Sequence, residues 1–102
     1  MTVTRRYFLV KIVPQQPVSE EQFGRALTDS VRRYFGEIGL CRIDPRLIRF
    51  DEKESRAVVS CRKEGAGEME AAIGLISDVS GLAIAPITLK MSGTIKGLGR
   101  RH

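Results

Sequence analysis

Arg5-Arg6-Tyr7-Phe8-Leu9-Val10-Lys11-Ile12-Val13 runs into Pro14, and Ser19-Glu20-Glu21-Gln22 follows after a short linker. The first run is rich in β-branched and aromatic residues and stops at a residue that cannot donate to a ladder, which makes it a strand. The second matches a capping box, in which the Ser19 hydroxyl and the Gln22 side chain each accept from the other's otherwise orphaned backbone N–H. A helix starts there. Downstream, Phe23, Leu27, Val31, Tyr34 and Ile38 recur at helical spacing, while Arg25, Asp29 and Arg33 form an i, i+4 ladder on another face. Gly36 and Gly39 mark the end of this helix.

The remaining elements follow from local signals. Asp44-Pro45 is a turn, and residues 47–50 and 57–62 read as two short strands around the polar connection Asp51-Glu52-Lys53-Glu54-Ser55. Gly65-Ala66-Gly67 reads as a flexible joint. Met69, Ala72, Ile73, Ile76 and Val79 then keep a 3.6-residue period up to Gly81, which takes the C′ position of a second helix. Residues 82–91 form the last strand, and Pro86 assigns it to a sheet edge.

The order β-α-β-β-α-β predicts an α+β, ferredoxin-like (RRM-like) sandwich: a four-stranded antiparallel sheet in the order 4-1-3-2 with two helices on one face. Residues 1–91 would form this single domain and residues 92–102 a basic C-terminal tail. Alternation sends Phe8, Val10, Ile12, Ala57, Val59 and Cys61 under the helices. The open face is then expected to carry Tyr7, Leu9, Lys11, Arg49, Arg56, Val58, Arg62, Thr88 and Lys90.

Charge is distributed unevenly. The net charge is +5, yet all 12 acidic residues lie between Glu20 and Asp78. Residues 1–19 carry Arg5, Arg6 and Lys11, residues 79–102 carry Lys90, Lys96, Arg100 and Arg101, and neither end holds an acid. Pairing the first strand with the last would merge the two ends into one basic patch. The closing stretch Ser92-Gly93-Thr94-Ile95-Lys96 adds hydroxyls and glycine-exposed N–H groups, the donors that wrap phosphate oxygens. Its alternative is a solvated, frayed terminus.

Several classes of function are disfavoured. No run approaches the length of a membrane span, and no apolar leader is present, so a cytoplasmic protein without a membrane partner is expected. Cys41 and Cys61 lack a C-x-x-C partner, and His102 is the only histidine, which argues against a zinc site. Asp51, Glu52 and Glu54 fit a solvated hairpin tip better than a metal cluster. With no general base or activated nucleophile in view, no active site is expected in this chain. The third strand lacks the stacking aromatics of an RNA recognition motif, which leaves recognition of nucleic-acid backbone and shape by Arg and Lys.

Several stretches together resemble the protein component 2 family of ribonuclease P. They are Arg6-Tyr7, Val31-Arg32-Arg33-Tyr34-Phe35-Gly36-Glu37-Ile38-Gly39, Ala57-Val58-Val59-Ser60-Cys61-Arg62, Ala71-Ala72-Ile73-Gly74-Leu75-Ile76 and Ser92-Gly93-Thr94-Ile95-Lys96. The last is the most specific. The resemblance implies a non-catalytic subunit of a ribozyme that removes the 5′ leader of precursor tRNA with Mg²⁺ held by the RNA, the protein binding no cofactor of its own. It implies ribonuclease P RNA as a partner, precursor tRNA indirectly, the barrel-type component 3 protein, and a second copy of the chain. The RNA contacts are expected at Arg5, Arg6, Tyr7, Lys11, Lys90, Ser92, Gly93, Thr94, Lys96, Arg100 and Arg101. The alternative is a ferredoxin-like ligand-sensing or oligomerising module, whose mark would be self-association without salt-dependent RNA binding.

Overall fold

The computed structural model describes residues 4–99. Strand β1 (Arg5–Val13) leads to helix α1 (Glu20–Ile43), strands β2 (Arg46–Asp51) and β3 (Arg56–Arg62), and helix α2 (Ala66–Gly74). A small hairpin, β4 (Asp78–Val79) and β5 (Leu82–Ala83), precedes strand β6 (Ala85–Ser92). The four long strands form an antiparallel sheet in the order β2-β3-β1-β6. With the small hairpin set aside, this is the predicted 4-1-3-2 order read from the other edge. Both helices pack on one face, and Pro86 lies on an edge strand as expected.

The capping box at Ser19 forms with both reciprocal hydrogen bonds, 3.1 Å into Ser19 Oγ and 2.9 Å into Gln22 Oε1. It fixes the phase of α1, so that Phe23, Leu27 and Val31 enter the core. Phe8, Val10 and Ile12 of β1 and Ala57, Val59 and Cys61 of β3 meet them, all buried as alternation required. The Phe23 ring stacks on Phe50 at 5.6 Å between centroids. Met69, Ala72 and Ile73 of α2 complete the layer, and the Ser30 hydroxyl ties the helices together by donating to the Ala72 carbonyl.

The first helix does not end at Gly36 or Gly39. At Gly36 the backbone takes φ 74°, a conformation favoured by the absence of a Cβ, and the helix then resumes to Ile43. The break resets the helical phase. Beyond it Ile38 (84% exposed) turns to solvent while Gly39 and Ile43 face inward, and Tyr34, two residues before the break, is 46% exposed. The Arg25–Asp29–Arg33 ladder does not form either, because Asp29 pairs with Arg32 (3.2 Å) and Arg25 with Glu21 (4.0 Å). Gly65 is a close-packing point, not a loose joint: a Cβ there would lie 2.7 Å from Ile43 Cγ1.

The second helix is shorter than its apolar period suggests. It stops at Gly74, and Gly81 (φ 85°) with Ser80 (φ 52°) makes the turn of the β4–β5 hairpin instead of a helix cap. Ile76 and Val79 are still buried, but from the connection and the hairpin. Leu82 and Ala83 accordingly leave the last strand. A bulge at Leu89 breaks the alternation of β6, since Leu9 pairs with Lys90 but Val10 pairs with Thr88. Thr88 therefore faces the helix side with Val10, not the open face.

Candidate nucleic-acid interface

The open face of the sheet is built by register. Tyr7 pairs with Ser60 and Ser92, Leu9 with Val58 and Lys90, and Lys11 with Arg56. Arg49 joins them opposite Val58. The face is only partly uncovered, because the chain folds back after β6 and seats Leu98 (4% exposed) on Leu9 and Val58, with Tyr7 alongside. A strip of aliphatic side chains in the middle of a cationic face would otherwise meet water, and Leu98 removes it.

A short 3₁₀ turn, Lys96–Leu98, delivers that leucine. The Thr94 N–H donates to Ser92 Oγ (3.2 Å), and the Gly97 N–H donates to Thr94 Oγ1 (2.9 Å). Glycine is required at position 97, since a Cβ there would run into Ser92 Oγ. The Ser92 and Thr94 oxygens are thus spent as acceptors inside the turn. Their O–H groups and the exposed Lys96 ammonium remain able to donate to an acceptor from outside.

Arg5 and Arg6 part company, as neighbours on a strand must. The Arg5 guanidinium donates from Nη1 to Asp44 Oδ2 (2.9 Å), from Nη2 to the Asp44 carbonyl (2.7 Å), and from Nε and Nη2 to Ser60 Oγ (3.1 and 2.9 Å). Asp44, in the left-handed conformation at the end of α1, also meets Arg46 at 3.1 Å. Arg5 is therefore a clasp between β1, β3 and the α1 terminus. Arg6 points to the helix side opposite Cys61, where its Nη1 lies beside Gly93. Lys11 donates to the Glu54 carbonyl at 2.7 Å, and Lys90 is exposed. Arg100 and Arg101 fall outside the described residues.

The family profile of Rpp14/Pop5 matches residues 6–101. This chain belongs to the Rpp14/Pop5 family. Ribonuclease P protein component 2 of Archaeoglobus fulgidus is 32% identical over 96% of this chain and 87% of its own length. The protein of the same name from Pyrococcus furiosus is 28% identical over 95% and 81%. A chain in the cryo-EM structure of yeast ribonuclease MRP shares the fold, with a TM-score of 0.72 at 12% identity over 92% of this chain and 77% of that one.

In this Rpp14/Pop5 member the open face supplies cations that were placed there by alternation but not assigned a role. Arg56 and Arg62 each bury Nε without an acceptor among the described residues. Such a donor costs about 1–3 kcal/mol until an acceptor reaches the guanidinium or displaces what covers it. Among the described residues no group of three or more His, Cys, Asp or Glu gathers that could hold a metal ion, and Asp51 accepts from the Glu54 N–H at the hairpin tip. No helix among them is long and apolar enough to cross a membrane.

The two thiols of this family member differ sharply. Cys41 is exposed and Cys61 buried, and both are free. Burial pushes the Cys61 thiol from its ordinary 9.0 up to about 11, against the opposing pull of Arg5 and Arg6. Between those values the unfolded chain has lost a proton that the folded chain keeps, so stability should fall as pH rises through that window. Iodoacetamide at about pH 8 is expected to alkylate Cys41 and spare Cys61 until denaturant is added, read by mass spectrometry of the peptides.

Proposed function

We propose that this chain is a protein subunit of ribonuclease P that binds the catalytic RNA by phosphate neutralisation and shape, supporting removal of the 5′ leader from precursor tRNA. The observation that carries the reading is the pairing of β1 with β6, which sets the two acid-free ends of the chain side by side. Lys90 and Lys96, with Ser92, Gly93 and Thr94 between them, form the leading edge of the interface, and Lys11 and Tyr7 adjoin it. Arg100 and Arg101, outside the described residues, are further proposed phosphate contacts by their charge. Arg6 serves from the helix side beside Gly93, and Arg49, Arg56 and Arg62 add charge across the open face.

Scaffolding of this kind needs no nucleophile. Packed phosphates repel one another, and cations fixed on a rigid sheet lower that repulsion at defined places. Mg²⁺ would be held by the RNA, which performs the cleavage. The component 3 protein and a second copy of the chain are the proposed protein partners, and the precursor tRNA would meet this subunit through the RNA. The known relatives called ribonuclease P component 2 support this assignment.

The double substitution Lys90→Ala/Lys96→Ala tests it. Affinity for ribonuclease P RNA is expected to drop, and the slope of log K against log salt to shrink by roughly 0.9 for each phosphate that is no longer neutralised. A salt slope identical to that of the parent chain would remove these residues from the interface. RNA binding absent altogether, with self-association in its place, would favour the ligand-sensing or oligomerising module.

A further inference from the structure

One row of the open face crosses the whole sheet as cation, apolar, apolar, cation. Register sets Lys90 of β6 beside Leu9 of β1, Leu9 beside Val58 of β3, and Val58 beside Arg49 of β2. Leu98 seats on the two middle side chains, so an aliphatic ridge stands between the two cations. Lys90 and Arg49 are exposed, and neither has an ion-pair partner among the described residues. Three strand spacings separate their backbones, roughly 14 Å. The row on one side of the ridge, Ser92, Tyr7, Ser60 and Arg46, brings hydroxyl groups up to it. The row on the other side, Ile87, Lys11, Arg56 and Asp51, sets an acid beside its cations.

From this row we infer that the open face docks on double-stranded RNA across its minor groove, with Lys90 on the phosphates of one strand and Arg49 on those of the other. The Leu98 ridge then lies over the sugars between them. Two cations held apart by an uncharged ridge match two lines of phosphate with an uncharged floor between. A single strand offers one line of charge and unstacked bases, and its binders stack those bases on aromatic side chains. Tyr7 is the one aromatic among the described residues of this face, and Leu98 packs alongside it. The minor groove of A-form RNA is wide and shallow, which suits a broad sheet, whereas its deep, narrow major groove excludes one. The 2′-hydroxyls displayed there both donate and accept, as do the hydroxyls of Ser92 and Tyr7. The inference rests on the subunit reading above and adds to it the class of RNA that the sheet meets.

Four probes at one salt concentration test this on the full chain: ribonuclease P RNA, a perfectly paired RNA duplex, each of its strands alone, and the DNA duplex of the same sequence. The paired RNA is expected to bind about tenfold or more tighter than the single strands or the DNA duplex. On ribonuclease P RNA, hydroxyl-radical protection lost with Lys90→Ala and protection lost with Arg49→Ala should fall on opposite strands of one helix, facing each other across its minor groove. Both side chains are exposed, so each variant should keep the parent's thermal midpoint, and each should reduce the salt slope by roughly 0.9. Ribonuclease P RNA bound together with single strands or DNA held as tightly as the paired RNA overturns the inference and spares the subunit reading. Protections that fall on one strand, or on unpaired nucleotides, do the same. If ribonuclease P RNA is not bound, the subunit reading fails, and the paired RNA still decides the docking mode. Its preference over both strands and over DNA supports the inference, and any other order overturns it.

Discussion

Arg5→Ala is expected to lower stability by about 2–3 kcal/mol, read as a reduced urea midpoint at unchanged slope, and to leave the RNA salt dependence of the folded chain as it was. The side chain is 13% exposed and makes four hydrogen bonds, two of them to a Ser60 hydroxyl that is itself fully buried. A fully buried ion pair broken on one side costs about 3–5 kcal/mol. Asp44 is 32% exposed and keeps Arg46, so the cost here is lower. Ser60 loses its charged donor without replacement. Arg5→Lys should recover part of the loss, since an ammonium cannot span both acceptors as the guanidinium fork does. A salt slope reduced by roughly 0.9 in the alanine variant would instead make Arg5 a phosphate ligand.

Truncation after Met91 is expected to act twice. It removes Leu98 from Leu9 and Val58, which at roughly 1.5–3 kcal/mol for a buried leucine is a substantial share of a small domain's stability. It also removes Lys96, Arg100 and Arg101, and on the proposed phosphate-binding role the loss of these cations should cut RNA affinity by about tenfold or more at moderate salt. Leu98→Ala separates the effects, because it deletes the anchor and keeps every charge. Its thermal midpoint should fall while its salt slope stays put. Precursor-tRNA cleavage by the reconstituted enzyme should drop with the truncation, and cleavage at the parent rate would deny the C-terminal stretch a role in RNA scaffolding.

Much of the fold was legible because its signals are local. The Ser19 capping box, the Pro14 stop, the hairpin around Asp51–Ser55 and the Pro86 edge each depend on residues a few positions apart, and each appears in the structure. The misread places involve more than one turn of chain. A glycine in a helical pattern reads as an end, whereas Gly36 bends α1 and lets it continue to Ile43. Ile76 and Val79 satisfy a helical period and are buried, yet they come from beyond the end of α2. The Leu89 bulge changes which face Thr88 takes, and composition carries no sign of it.

The candidate interface divides the same way. Its charge map was plain from the sequence, since acids and bases are counted without folding. Which cations are free was not. Arg5 is claimed by Asp44 and Ser60, 39 and 55 positions away, and Lys11 by Glu54. Hydrogen-bond partners at such separations exist only once the sheet has closed.

The amino-acid sequence by itself determined the element order, the strand that lies at the edge, the apolar set under the helices and the acid-free ends. Short-range propensity, alternation and capping set these, and their energies act within a turn or a strand. The tertiary structure decided that Leu98 covers the middle of the open face, that Arg5 is a clasp, and that a bulge at Leu89 turns Thr88 to the helix side. Each of these depends on competition between groups distant in the chain, and only the closed fold brings the competitors together.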